Sequence, residues 1–72
     1  MLALELLSVV ALLRDNPEHG LVRGQVGTVG ERLDEGVVEV EFSDDDGRTF
    51  AQMPVPADQL LPLHYQQEVS AA

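Results

Sequence analysis

The chain has no cysteine, no tryptophan and no lysine, and its only fixed cations are four arginines set against thirteen Asp and Glu. Without cysteine there is no disulfide framework and no thiolate site for zinc or an iron-sulfur cluster, so packing or self-association has to stabilise the fold. Without lysine the phosphate loop G-x-x-x-x-G-K-[ST] is excluded. The formal net charge of -9 repels phosphate backbones at long range, and Phe42, Phe50 and Tyr65 are the only aromatics available for base stacking, so nucleic acid is disfavoured as a partner. Long apolar runs are also lacking. The opening "MLALELLSVVALL" carries Glu5, has no basic leader region or small-residue cleavage pattern, and is shorter than the roughly 20 residues a membrane-spanning helix needs. The expectation is a cytoplasmic protein with no membrane partner.

What is present describes one small domain. At 72 residues the chain is near the lower limit at which a single apolar core outweighs conformational entropy. An apolar share of 44% is too high for a wholly disordered chain. The expected organisation is one all-β domain over residues 1–65 and a frayed tail over 66–72.

Short valine- and leucine-rich runs alternate with turn signals, which predicts five short strands. The first covers about Ser8 to Arg14, with a strand start near Leu6 preferred over a helix because Leu2, Leu4 and Leu6 alternate. "DNPEHG" breaks it, since Pro17 fixes φ and Gly20 accepts a positive φ. The second strand covers about Gln25 to Leu33, with Gln25, Gly27, Val29, Glu31 and Leu33 on one face and Val26, Thr28 and Gly30 on the other. "DEG" makes a hairpin into "VVEVEF", where Val38, Val40 and Phe42 point inward and Glu39 and Glu41 outward. "SDDDG" is a second hairpin turn, followed by "RTFAQMPV", which Pro54 ends or marks as an edge. "PADQL" reads as one turn of 3₁₀ or α-helix and "LPLH" as a closing strand. Five strands, a long first loop and one helical turn before the last strand match the plan of a small SH3-like barrel; a small open sheet paired across a dimer is the alternative.

No catalytic constellation stands out, and the expectation is a non-enzyme without cofactor or metal. Gly24, Gly27 and Gly30 follow G-x-x-G-x-x-G, which is neither the dinucleotide fingerprint nor a phosphate loop, and they lead into a strand rather than a helix. Their expected work is structural, allowing strand curvature and close backbone approach. Set on a calcium loop with Gly47 at the sixth position, Asp44 and Asp46 occupy ligand positions, but Phe42 and Met53 stand where two oxygen ligands are required. Solvated turn aspartates are the better reading. His19 and His64 are too few for a histidine-built metal site, and Ser8, Ser43 and Ser70 have no His and Asp patterned around them. Arg23 and Arg48 sit at strand or turn boundaries, where charge compensation competes with a partner contact. The candidate partner-binding residues are His19, Arg23, Asp44, Asp45, Asp46 and Arg48; the structural turn residues are Pro17, Gly20, Gly24, Gly27 and Gly47.

Pro17 to Leu21 (Pro-Glu-His-Gly-Leu), Gly24 to Val29 (Gly-x-Val-Gly-Thr-Val), Glu39 to Phe42 (Glu-Val-Glu-Phe) and Gly47 to Thr49 (Gly-Arg-Thr), between an apolar first strand and a leucine-rich close, carry a resemblance to a known family. The chain resembles the short, stand-alone bacterial proteins catalogued as domain of unknown function 4926. Gly30 stands where that pattern has another apolar residue. The resemblance implies an SH3-like barrel and no established activity. The element Gly24 to Val29 is also similar to the KOW-type motif of ribosomal and transcription proteins.

Charge imbalance on a compact fold leads to the expectation of a protein-binding module whose acidic surface docks a basic partner; an antitoxin or immunity protein covering a basic, RNA-cleaving toxin is one specific form. A homodimer is compatible with this, since a symmetric copy can bury an exposed strand edge. The alternatives are a KOW-like nucleic-acid or ribosome-associated module, using Arg14, Arg23, Arg32 and Arg48, and an accessory domain that binds cations through Asp44, Asp45 and Asp46.

Overall fold

The computed structural model describes residues 4–64. Five strands, β1 (Val9–Leu12), β2 (Val26–Asp34), β3 (Val37–Ser43), β4 (Thr49–Pro56) and β5 (Leu60–Pro62), form one antiparallel sheet in the order β4-β3-β2-β1-β5. This is the expected five-stranded all-β fold, with its 3₁₀ turn, Ala57–Gln59, directly before the last strand. A second 3₁₀ turn, Pro17–His19, lies within the first loop, opened by Pro17 and closed by Gly20 in the left-handed conformation at φ 69°. The turn signals in "DNPEHG" predict only a loop there. No described helix is long and apolar enough to cross a membrane. The expected domain end at residue 65 and the tail 66–72 lie outside the described residues.

The core follows the period-2 patterning of the strands. Val38, Val40 and Phe42 of β3 are buried, as their alternation with Glu39 and Glu41 requires. They join Val10, Leu12, Val29, Met53, Val55 and Leu60 in one apolar cluster, completed by Leu4 from the N-terminal segment and Leu21 from the first loop. Among the described residues no second layer covers this face, and the sheet covers it by curling. The hydrogen bonds trace that curl. Leu12 N–H donates to Gln25 O, Leu13 N–H to Gln59 O and Ala57 N–H to Gly36 O. The two ends of β2 are thereby joined through a short path, whereas a straight strand from Gln25 to Gly36 would span roughly 36 Å.

Bulges supply the bend. Val29 pairs with Val40 and Glu31 with Glu39, leaving Gly30 without a partner, and a second shift between Arg32 and Asp34 leaves out Leu33. An extra residue locally increases twist and bends the strand. It also changes the expected facing of β2. Gly27 and Val29 do share the buried face, but past Gly30 the phase flips: Glu31 faces outward beside Glu39, Arg32 comes opposite buried Val38, and Leu33 is exposed.

The N-terminal segment departs from the strand expected to start near Leu6. Residues 6 and 7 form a turn, Leu7 takes φ 68°, and β1 begins only at Val9. Leu7 N–H donates to Val29 O and Arg32 Nε donates to Leu4 O at 3.1 Å, which holds Leu4 in the core while Leu6 and Leu7 stay exposed. The alternating leucines therefore contribute one core residue among those described.

Both sheet edges carry proline. Pro54 and Pro56 lie on β4, and Pro62 lies on β5. Pro54 does mark an edge, but it does not end the strand, which continues to Pro56. Residues two apart on a strand direct their backbone groups to the same side, so Pro54 and Pro56 together remove donors from the outward edge while the ladder to β3 is kept. Among the described residues no ladder joins β4 to β5, and proline rather than pairing protects these ends of the sheet.

Candidate functional site

The registers Ala11↔Val26, Gly27↔Phe42 and Ser43↔Thr49 place the end of β1, the start of β2 and the β3-β4 turn at one end of the sheet. All six candidate partner-binding residues lie there, in two separately organised groups. His19 and Arg23 belong to the β1-β2 loop. Asp44, Asp45, Asp46 and Arg48 belong to the β3-β4 turn.

The loop group is built around Asn16. Asn16 and Leu21 exchange backbone hydrogen bonds at 2.8 and 3.0 Å, and buried Leu21 pins the loop to the core. Asn16 Nδ2 reaches Met53 Sδ at 3.4 Å, which ties the loop across the curled sheet to β4. His19 Nδ1 lies 3.1 Å from Asn16 Oδ1, so the imidazole is held by an amide oxygen rather than aimed at a hydroxyl nucleophile. Arg23 donates its backbone N–H to Asp15 Oδ1 at 2.8 Å.

The turn group is organised by one carboxylate. Asp44 Oδ1 accepts from the backbone N–H of Asp46 at 2.9 Å and of Arg48 at 3.0 Å, while Gly47 takes φ 81° and donates to Asp44 O. This is the local side-chain-to-backbone bonding that favours Asp in turns. Asp44 is thereby occupied in shaping the turn, and Asp45 and Asp46 are exposed beside it. Among the described residues no three His, Asp or Glu side chains are gathered in a metal-holding arrangement.

The glycines divide by role. Gly20, Gly24 and Gly47 have positive φ, as turn residues do. Gly27 is not in a turn but inside β2, where a Cβ would stand 2.6 Å from Val40 Cγ1 and 2.9 Å from both Glu41 O and Phe42 Cδ1. The close backbone approach expected of the glycine triplet is real at Gly27. It is absent at Gly30, whose nearest neighbours would be 3.9 Å away.

A further feature was not singled out from the sequence. On the outer face of the sheet Ala11 lies between Val26 of β2 and Leu61 of β5 in one cross-strand row. Val26 and Leu61 are each 49% exposed and Leu13 is 45% exposed. Beside this row, on the outer face of β2 and β3, stand Glu31, Glu39 and Glu41. The signal was present in "VVALL", Val9 to Leu13, which is apolar on both faces rather than alternating with polar residues.

No curated protein and no solved structure matches the chain. The model of one family, described as Domain of unknown function (DUF4926), matches residues 6–62, from the N-terminal turn to the last residue of β5. With the whole five-stranded sheet inside that match, the chain belongs to this family.

Proposed function

We propose that the protein is a non-enzymatic binding module of SH3-like plan, which docks another protein through an acidic surface complementary to a basic one. The observation that carries this reading is the net charge of -9 on a small sheet in which the His19 ring and the Asp44 carboxylate are engaged in shaping loops while Asp45 and Asp46 are exposed. A cluster of carboxylates of one sign attracts a basic partner from a distance and rejects acidic ones, which suits fast and selective association. An antitoxin or immunity role against a basic toxin is a specific form of this reading, and the cytoplasm is the compartment it implies. Capture from the native host at low salt, with the recovered protein identified, purified and remixed, tests it. A basic partner whose affinity falls as salt rises is the expected result; a partner of acidic surface, or none at low salt, speaks against it.

The nucleic-acid alternative draws on the placement of Arg14, Arg23 and Arg48 at the same end of the sheet. Asp15, Glu18, Asp44, Asp45 and Asp46 share that end, so five carboxylates stand among three guanidinium groups and the local field stays negative. Arg32 lies further along β2 and is bonded to Leu4 O. A gel shift with RNA or DNA at low salt decides this alternative: retardation supports it and unchanged mobility ends it.

A further inference from the structure

We propose that the docking surface is the outer face of the sheet from β5 through β1 and β2 to Glu39 and Glu41 of β3, and that it receives a basic amphipathic segment of another protein. This rests on the binding-module reading and assigns it a place on the fold that differs from both loop groups.

The apolar part of the surface follows from the registers. In β1, Val10 and Leu12 point into the core, so Val9 and Ala11 point out. Ala11 pairs with Val26 on one side and Leu61 on the other, and Leu63 N–H donates to Val9 O, which places Leu63 beside Val9 on the neighbouring row. Leu13 continues the outward set past the end of β1. Three adjacent strands thus present Val9, Ala11, Leu13, Val26, Leu61 and Leu63 on one face. Ala11 is only 8% exposed, because its two larger row neighbours flank it. A small residue among larger neighbours makes the surface dip at Ala11.

The acidic part adjoins it directly. Val9 pairs with Thr28, Thr28 with Glu41, and Glu41 with Gln52, so one row runs from the apolar strip into the carboxylates. In the next row Glu31 stands opposite Glu39, and Gln52 Nε2 donates to Glu39 Oε1 at 2.7 Å. Gly30 leaves the space beside which the Glu41 carboxylate lies. Like charges directly opposite one another cost a sheet stability. A cationic side chain laid across Glu31, Glu39 and Glu41 would relieve that repulsion, while apolar side chains on the same segment would cover Val26, Ala11 and Leu61.

Charge selects this occupant over a second copy. A symmetric copy would bring a second glutamate ladder and a second charge of -9 to the same interface. The edge prolines also withhold some of the donors that strand addition would use, at Pro54 and Pro56 on β4 and at Pro62 on β5.

The test is a titration of the isotope-labelled full chain, followed by amide chemical shifts. The probe is a peptide of about four helical turns made of leucine and lysine, with leucines at helical spacing. One control replaces each leucine by serine, and the other replaces each lysine by glutamate. The expected result is at least tenfold tighter binding of the leucine-lysine peptide than of either control, with perturbations concentrated at Ala11, Leu13, Val26, Leu61, Glu39 and Glu41. Perturbations centred on Asp44 to Asp46, with the serine control binding equally well, would overturn the assigned face while leaving the basic-partner reading intact. Concentration-dependent shifts of the strip without peptide would overturn the assigned occupant in favour of a second copy. Absence of binding by both basic peptides would overturn the inference and count against the reading beneath it.

Discussion

Single side chains decide how closely β2 and β3 can approach. A methyl group at Gly27 meets Val40, Phe42 and a backbone carbonyl, two of which belong to the most buried side chains of the core. Gly27→Ala should therefore destabilise the fold by about 1 to 3 kcal/mol, the usual cost of overpacking. Gly30→Ala meets nothing closer than 3.9 Å and no positive φ, so it should be neutral or stabilising by up to about 1 kcal/mol, through a less flexible unfolded chain. Urea unfolding of the two variants separates these outcomes. In the β3-β4 turn, Asp44→Ala removes the acceptor of two backbone N–H groups and should cost about 1 kcal/mol, whereas Asp45→Ala should change stability by less than about 0.5 kcal/mol. The turn chemistry of Asp44 and Gly47 was legible in the sequence because it is local. The difference between Gly27 and Gly30 was not, since both read as strand glycines and only the partner strand shows which one has a neighbour in the way.

Strand alternation made β3 readable residue by residue, and turn residues fixed both of its hairpins. The bulges in β2 were hidden, because an extra residue leaves no composition signal and only appears as a slipped register with β3. That slip brings Glu31 opposite Glu39. Glu31→Lys should convert a repulsive pair into an attractive one and raise stability by about 0.2 to 1 kcal/mol, measured by the same unfolding experiment, with the gain shrinking at high salt. The N-terminal segment was misread for a related reason: alternating leucines suit a strand, but the bonds Leu7 N–H to Val29 O and Arg32 Nε to Leu4 O turn the chain back before β1. At the edges, the double variant Pro54→Thr with Pro56→Thr returns two donors to the outward side of β4. Light scattering should show concentration-dependent association for it that the parent chain does not show.

The molecule as a whole combines a small curled sheet, edges with fewer outward donors because of proline, and an excess of carboxylates. Its general fold class could be read from strand spacing, and its membership of the family DUF4926 follows from a match over residues 6–62. The outer face could not be read, because "VVALL" is equally the sequence of a strand buried on both sides; the registers with Val26 and Leu61 define its second face, which among the described residues no other segment covers. On this account apolar contact at the strip sets residence and the glutamate ladder sets charge selection, while the acidic turn has a smaller share. Calorimetric titration of the leucine-lysine peptide into Val26→Thr, Leu61→Ser and Asp45→Asn chains tests this most directly. Covering a half-exposed leucine contributes roughly 1 kcal/mol or more, so Leu61→Ser should weaken binding about fivefold to tenfold. Val26→Thr, which keeps the branched shape, should weaken it severalfold, and Asp45→Asn by less than about twofold. Unchanged affinity in the two strip variants together with a large loss in Asp45→Asn would contradict the account.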